Sequence, residues 1–576
     1  VAEEPVVVLH YELAKEELSQ VDSMIKAMEE LFARWLGIES SGRAAAETDD
    51  AALRLGGCVA RWSLGLLNEV RGFLHHSGAR ATESGHELWV GFHVPELSRA
   101  VAELGFKIAL NAHQPGFNPR AAEQAVDQLL QSCRALHPDF QARILMVGAR
   151  ATGIPVMQFF PRSKFWQYGW GKKSQVFMET SSNRDGYLGG IWQKDKSMTK
   201  QVLRNLGVPV PSHVLVGTES DLPKASESIG FPCVVKPLAG GGGRGVTANI
   251  RNLTELAAAF EFARGESRDA VMVEQMVQGS DHRLMVIDQK LVAVIGREPS
   301  FVIGDGKKTI RALLAEVNST RSSNLIKSRY LYPIAVDETL QRHLGTQGHA
   351  LDDKLPKGKR VTLRSNANRS TGGVCTNKTA EAHPEVVALA EQIAAAFGLY
   401  AIGIDYLTTD ISLSPAESGG RVIEVNSVPG LSALVAAGFD EEELGLRTLG
   451  RSLGSIPVDM VIVDEQQAAS RAQTLMSRAL EPGHGVACGS TAKIGMFNLQ
   501  VALGNSHPWA GVQTALKNRT LESLEIIATA DEITRHGLPV GQLRSFTIEA
   551  NASLPKVWGH VVDAAVERWK CFGVNH

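Results

Sequence analysis

No two cysteines of this chain stand in a CxxC spacing. The six that exist, Cys58, Cys133, Cys233, Cys375, Cys488 and Cys571, lie far apart. That excludes the common zinc and thioredoxin-like signatures and makes a disulfide framework an unsuitable reading. A basic excess is missing too: 59 Lys and Arg stand against 62 Asp and Glu, for a net charge of −3. A nucleic-acid partner is therefore not expected. No apolar run reaches the roughly 18 residues that a membrane-spanning helix needs, so no membrane partner is expected either. The opening residues VAEEPVVVLHYELAKEE carry acids where a signal peptide has a basic segment. A cytoplasmic location follows as the expectation. Short repeats and low-complexity tracts are also lacking.

What is present reads as a multidomain α/β protein. Its 576 residues leave room for about three domains at ~100–200 residues each. Residues 1–164 form a mixed α/β block, with a strand at 85–94 and a helix opened by Asn118-Pro119, Asn as its cap and Pro in its first turn. A second helix is expected at 140–151, and a strand at 154–160. Residues 165–455 have another texture, with glycine-rich loops between strands and helices; the family resemblance described below implies that 212–290 is a glycine-rich lid region. Within it, Asp195-Lys196 leads a short helix through Lys200, and Pro384–Phe397 is an amphipathic helix that Gly398 is placed to end. Residues 456–576 form a last α/β block that closes in a helix near 556–570.

The chemistry-bearing residues sit in the middle block. Asp405 lies in GIDYL, and Glu424 and Asn426 lie in IEVN, each on an expected strand. Glu424 and Asn426 are two apart, so they share a strand face. With Asp405 from a neighbouring strand they offer three hard oxygen ligands, which suit Mg²⁺. The competing reading is that the acids merely cap adjacent turns. The loop AGGGGRGV at 239–246 has backbone N–H groups that can approach phosphate oxygens closely, although it is neither a GxxxxGK[ST] nor a GxGxxG loop. Lys236 precedes it at the end of an apolar strand, where an ammonium needs an anionic partner such as phosphate. Arg283, Arg297 and Arg364 lie in or beside apolar strands. There they serve either planar phosphate and carboxylate acceptors or structural ion pairs. SNANRSTGG at 365–373 is polar and turn-rich, as a substrate loop would be.

At these residues the sequence resembles ATP-grasp enzymes, and among them the cyanophycin synthetase family. The resembling pieces occur in order: DKSMTKQVLRNLGVPVP (195–211), VVKPLAGGGGRGV (234–246), VMVEQMVQGSDHRLMV (271–286) and SFVIGDGKKTI (300–310). They continue with VTLRSNANRSTGGVCTNKTAEAHPEVV (361–387), AIGIDYLTTDIS (401–412) and GGRVIEVNSVPGL (419–431). FNPRAAEQAVDQLLQS and the stretch around Tyr168–Gly171 resemble the family's N-terminal domain.

The resemblance implies an ATP-grasp fold and an ADP-forming carboxylate–amine ligase using ATP and Mg²⁺. It implies that Lys196, Lys236 and the loop glycines Gly241, Gly242 and Gly243 bind ATP phosphates. Glu274 would lie near adenine and ribose, Arg283 would line the site, and Arg297 and Arg364 would hold phosphate or the acyl-phosphate, acting with Lys236. Asn366, Ser370, Thr371, Gly372 and Gly373 would hold substrate, and Asp405, Glu424 and Asn426 would hold Mg²⁺. Catalysis would then be positioning and charge neutralisation, without a nucleophilic side chain.

Two departures from the family pattern matter. Members of the family usually carry an Asn-His pair where this chain has Gly241-Gly242. A Mur-ligase-like second domain would place a GTNGKTT phosphate loop where GSIPVDMVIVDEQQAASRA stands at 454–472. HGVACGSTAKIG and LESLEIIATADEITRHGLPVGQ resemble remnants of that domain, so a truncated, inactive version is expected at 456–576. This pattern resembles the shortened second type of cyanophycin synthetase, which polymerises β-aspartyl-arginine dipeptides. The expected partners are that dipeptide and the cyanophycin polymer, in a homo-oligomer. The alternatives are a ligase joining other amino acids or a small natural product, and a non-catalytic polymer-binding protein.

Overall fold

The computed structural model describes residues 5–36, 48–238, 244–266, 270–323, 332–477, 480–499 and 508–573. The chain forms two compact units, one of Val1–Glu179 with Leu449–His576, the other of Thr180–Thr448.

In the first unit, the strands Val6–Tyr11, Gly85–Gly91 and Ser77–Thr82 make an antiparallel sheet, with Gly85–Gly91 in the middle. Helices Ala51–Glu69 and Pro95–Ala112 pack on it through Leu55, Val59, Leu66 and Val101. Asn118 caps helix Pro119–Leu136, as its sequence indicates, by accepting from Ala121 N at 3.2 Å. Helix Phe140–Ala151 and strand Val156–Gln158 fall where the sequence pattern places them.

The same unit holds a six-stranded sheet, in the order Phe497–Leu499, Thr491–Ile494, His484–Cys488, Ser523–Thr529, Val458–Val463 and Ser545–Ile548. Ser523–Thr529 runs parallel to both of its neighbours. Trp170, from the earlier part of the chain, is buried in this sheet's core beside Ile456, Met460 and Ile526.

The second unit contains two antiparallel sheets that matter for function. The smaller has the strand order Thr247–Ile250, Cys233–Pro237, Val271–Gln275 and His213–Val216. Alternation gives its strands two faces. Cys233, Val235, Val271 and Val273 face a core made with Leu222, Leu256 and Phe260. Lys236 pairs with Met272 and Val234 with Glu274, which puts the two charged residues on the opposite face.

The larger sheet has the order Val374–Asn377, Lys290–Glu298, Ser280–Ile287, Ala401–Thr408 and Arg421–Ser427. Its core face carries Leu284, Val286, Val294, Ile402, Ile404 and Val422 against helix Pro384–Phe397. A third cluster, built on Val302, Ile310, Leu340, Leu344 and Leu363, lies beside the antiparallel strand pair Phe301–Ile303 and Arg360–Thr362. Among the described residues, no helix is long and apolar enough to cross a membrane.

Candidate active site

The register of the larger sheet decides which side chains meet. Arg283 lies opposite Asp405, and Asp405 opposite Glu424. Gly403 lies opposite Asn426, Asp281 opposite Arg297, and Arg297 opposite Cys375. Directly opposed residues share a face, as do residues two apart on one strand. Asp281, Arg283, Arg297, Cys375, Asp405, Glu424 and Asn426 therefore stand on the one face that is turned away from the core.

Charge on this face is organised around Asp405. Its Oδ1 is 2.7 Å from Arg283 Nε and 3.1 Å from Arg297 Nη2. Arg297 Nη2 is also 2.7 Å from Asp281 Oδ1. Burial works against the charge on Arg297, but Asp405 and Asp281 outweigh it and hold the guanidinium above its ordinary pKa. Burial pushes the Asp281 carboxyl up despite that arginine. Gly403 makes room for the arrangement, since a Cβ there would lie 2.4 Å from Arg283 Nη1.

The smaller sheet contributes a second charged group. Glu274 Oε2 lies 2.7 Å from Lys236 Nζ and 3.0 Å from Lys200 Nζ. The Lys200 side chain is 0% exposed and that of Glu274 is 4% exposed, so the three charges are sealed from bulk water. Burial would raise the Glu274 carboxyl, but the two ammonium groups bring it below its usual range. Burial, with Lys236 close by, lowers Lys200 to about 8. His213, on the adjacent strand, is lowered to about 4 by burial and by Lys200 and Arg204. Lys196 begins helix Lys196–Asn205, which is capped by Asp195. Its ammonium lies 3.7 Å from Glu424 Oε1 and donates to the Leu238 carbonyl at 3.4 Å.

Arg364 is placed differently from the other arginines. Its guanidinium forms two 2.8 Å bonds to the Asp337 carboxylate and one of 2.9 Å to the Ala335 carbonyl. Asp337 in turn caps helix Glu338–Thr346. The loop after Arg364 closes on itself. Asn366 Oδ1 accepts from Thr371 Oγ1 at 2.7 Å and from Asn368 N at 3.2 Å. Gly372 has φ 87°, and its carbonyl accepts from Arg321 Nη2 at 2.7 Å. At Gly373 a Cβ would meet the Ala367 carbonyl at 2.3 Å, so both glycines are required by close packing. Ser370 belongs to the tight turn Arg369–Thr371, and its side chain lies outside the described residues. Gly241, Gly242 and Gly243 also lie outside the described residues.

Asp405, Glu424 and Asn426 fit a Mg²⁺ ion by donor chemistry. They supply two carboxylates and an amide on one face, and Mg²⁺ commonly takes one or two carboxylates and completes its shell with phosphate and water. The Asn426 side-chain nitrogen is buried without a hydrogen-bond partner among the described residues, which marks an amide whose local polar contacts are incomplete. Among the described residues, no three His, Cys, Asp or Glu side chains gather as a metal site. A metal here would therefore depend on the amide and on phosphate oxygens.

A pattern common to ATP-grasp domains matches residues 201–287, which span the smaller sheet and the first long strand of the larger one. Cyanophycin synthetase of Trichormus variabilis is 34% identical over 390 residues, covering 67% of this chain and 42% of that protein. Cyanophycin synthetase of Synechocystis is 38% identical over 304 residues, 52% of this chain and 34% of that protein. The chain is a homologue of the cyanophycin synthetases and carries an ATP-grasp domain. It spans less than half the length of these relatives. A bifunctional glutathione biosynthesis protein of Streptococcus mutans is 32% identical over 257 residues, 43% of this chain and 34% of that protein.

Within this ATP-grasp homologue, Lys196 joins Glu424, Lys236 joins Glu274, and Arg283 and Arg297 join Asp405. Four participants escape a reading of the sequence alone. Lys200 is four residues after Lys196, one helical turn away, and that spacing was its available signal. Asp281 is two residues before Arg283 on the same strand, a weaker hint. Gly403 and Cys375 become visible only through the strand register.

Proposed function

We propose that this chain is an ATP-dependent, ADP-forming carboxylate–amine ligase that polymerises β-aspartyl-arginine dipeptides into cyanophycin. The single observation that carries the reading is the shared face on which Asp405, Glu424, Asn426, Arg283 and Arg297 meet. Homology to cyanophycin synthetases supports the substrate class.

In this reading a substrate carboxylate oxygen attacks the γ-phosphorus of ATP, and ADP leaves. The amine of the second substrate then attacks the acyl carbon, loses a proton, and phosphate departs. Lys196 and Lys236 bind the ATP phosphates. Arg283 and Arg297, held by Asp405 and Asp281, face the transferring group with little freedom to reorient, which is how such sites lower the barrier. Asp405, Glu424 and Asn426 would hold Mg²⁺, which when bound neutralises charge on the phosphates. Arg364 acts through Asp337 as a positioning residue for the 365–373 substrate loop.

The C-terminal region supports a single active site. Between strand Val458–Val463 and helix Glu465–Ser477 there is one residue, Asp464, followed by Glu465. Two acids at a helix start repel phosphate, and no glycine opens the turn. A single site suits a preformed dipeptide as building block. The 32% identity to a bifunctional glutathione biosynthesis protein favours, as second reading, a ligase of other amino acids.

The test is phosphate release and turbidity with ATP, Mg²⁺ and β-aspartyl-arginine. Stimulation well above that given by free aspartate plus arginine is expected. Equal rates with both would overturn the dipeptide assignment, and turnover with a different amino-acid pair would establish the second reading.

A further inference from the structure

The buried charges on the smaller sheet do not cancel. Lys200 and Lys236 bring two ammonium groups to a single carboxylate, Glu274, which leaves an excess of one positive charge. Both address the same oxygen, Glu274 Oε2, Lys200 at 3.0 Å and Lys236 at 2.7 Å. The side chains of Lys200, Glu274 and Lys236 are 0%, 4% and 9% exposed, so water offsets little of the excess. A buried excess charge is costly until an ion of opposite sign completes it.

The neighbouring elements do not complete it. On the helix of Lys200, Arg204 adds a further positive charge, with Nη2 at 3.3 Å from the Pro211 carbonyl and 3.1 Å from His213 Nδ1. Lys196, one turn before Lys200, is directed to Glu424 and the Leu238 carbonyl. His213 lies opposite Glu274 on one side and is neutral at pH 7, because burial and the cations Lys200 and Arg204 lower it to about 4. Lys236 comes from the strand on the other side of Glu274. Among the described residues, Glu274 is the one carboxylate within ion-pair distance of Lys200.

With Lys200 uncharged, Lys236 and Glu274 would be a closed, neutral pair, and Lys236 could meet a phosphate only at the expense of a buried carboxylate. With Lys200 charged, Glu274 is satisfied from the sealed side, and the excess falls to Lys236, the more exposed of the two lysines. Building on the reading that Lys236 binds an ATP phosphate, we infer that Lys200 is a positioning residue that neutralises Glu274 and so leaves the charge of Lys236 to the nucleotide. Lys200 has no exposed surface of its own with which to touch a phosphate.

The consequence is a proton linked to nucleotide binding. Burial, with Lys236 close by, lowers Lys200 to about 8. A phosphate anion brought to the set favours the charged lysine, so Lys200 takes up a proton as the nucleotide binds. Affinity is then greatest below about pH 8 and falls as pH rises above it.

The experiment is calorimetric titration of the full chain with Mg-ATP, without an amino-acid substrate, in buffers of different ionisation enthalpy. Phosphate loses its last proton near about pH 6, so the ligand itself is silent in the range used. Between pH 7 and pH 9 the wild type should bind about tenfold more weakly, and near pH 8.5 it should take up about half a proton or more per nucleotide. Lys200→Met should bind more weakly at pH 7, with no proton uptake and little change in Kd up to pH 9. Lys200→Arg, charged throughout, should hold the pH 7 affinity to pH 9 without proton uptake. A wild-type Kd that is constant over this range, with no proton uptake, overturns the inference and needs no variant. Proton uptake that persists in Lys200→Met overturns it as well. Binding of Mg-ATP without these effects removes this inference alone. No binding of Mg-ATP by the wild type at any pH removes the ligase reading, and this inference with it.

Discussion

Glu274 lies between two ammonium groups, 2.7 Å from Lys236 and 3.0 Å from Lys200, in surroundings nearly closed to water. Removing the shared anion leaves two buried cations, and breaking a buried ion pair commonly costs about 3–5 kcal/mol. Glu274→Gln should lose stability on that scale, and Mg-ATP should return part of it, because phosphate oxygens replace the lost charge. Thermal unfolding with and without Mg-ATP measures both effects, and a wild-type midpoint in the variant would refute the arrangement. Lys200 gives a pH signature. Its folded value is about 8, against 10.5 when unfolded. Between those values the unfolded chain binds more protons, so the lysine's contribution to stability rises with pH. Below about 8 the burial penalty is present in full. The stability of wild type relative to Lys200→Met should therefore rise as pH goes from 8 to 10. A difference that stays constant across that range would contradict the assignment. Glu424→Ala belongs to this scale as well. It should cut phosphate release by roughly 100-fold or more while leaving the far-ultraviolet spectrum unchanged, and full residual release would refute the metal role.

Helix Lys196–Asn205 shows what sequence pattern delivers and where it stops. Asp195 was legible as the start, and it does accept from Ser197 N at 2.8 Å and from Met198 N at 2.9 Å. The helix runs five residues beyond Lys200, because Leu203 is fully buried against the larger sheet's core, and tertiary packing of that kind is not written in local propensity. Asp195→Ala should cost about 1 kcal/mol in urea unfolding. It should also raise the KM for ATP, because Lys196 is the first residue of the helix that this cap holds. An unchanged KM would separate the cap from the site. Strands show the same division. GIDYL and IEVN are readable as strands ending in acids, yet the order that seats Arg283 between Arg297 and Asp405 arises from long-range pairing. The roles of Asp281 and Gly403 are not legible in local pattern for that reason. Arg364 has a sequence context similar to that of the other arginines. Its bidentate partner Asp337 lies 27 residues upstream, beyond any local pattern.

At the scale of the molecule, texture divides the sequence into three blocks, whereas contacts place the first and last in one compact unit. The physical cause is a segment that a pattern of apolar residues cannot assign to a partner. Trp170 is 5% exposed within the core of the six-stranded sheet. Its N–H donates to the Gly454 carbonyl at 2.9 Å, Lys172 N to the Leu521 carbonyl at 2.8 Å, and Gln167 Nε2 to the Leu516 carbonyl at 2.9 Å. Gly171, at φ 54°, approaches the Leu521 carbonyl so closely that a Cβ would sit 2.3 Å away. Residues 449–576 thus complete the folding of residues 153–179, whatever chemistry they have lost or kept. Deleting 449–576 removes the partners of these backbone groups and exposes an indole, and large apolar losses in a core cost about 3–5 kcal/mol. The shortened chain should be cut by protease first within 153–179, while 180–448, with its own cores, resists longer. Mass analysis of the early fragments decides the matter: first cuts spread evenly along the chain, or a 153–179 segment as resistant as in the full chain, would show that the C-terminal block is not what holds it.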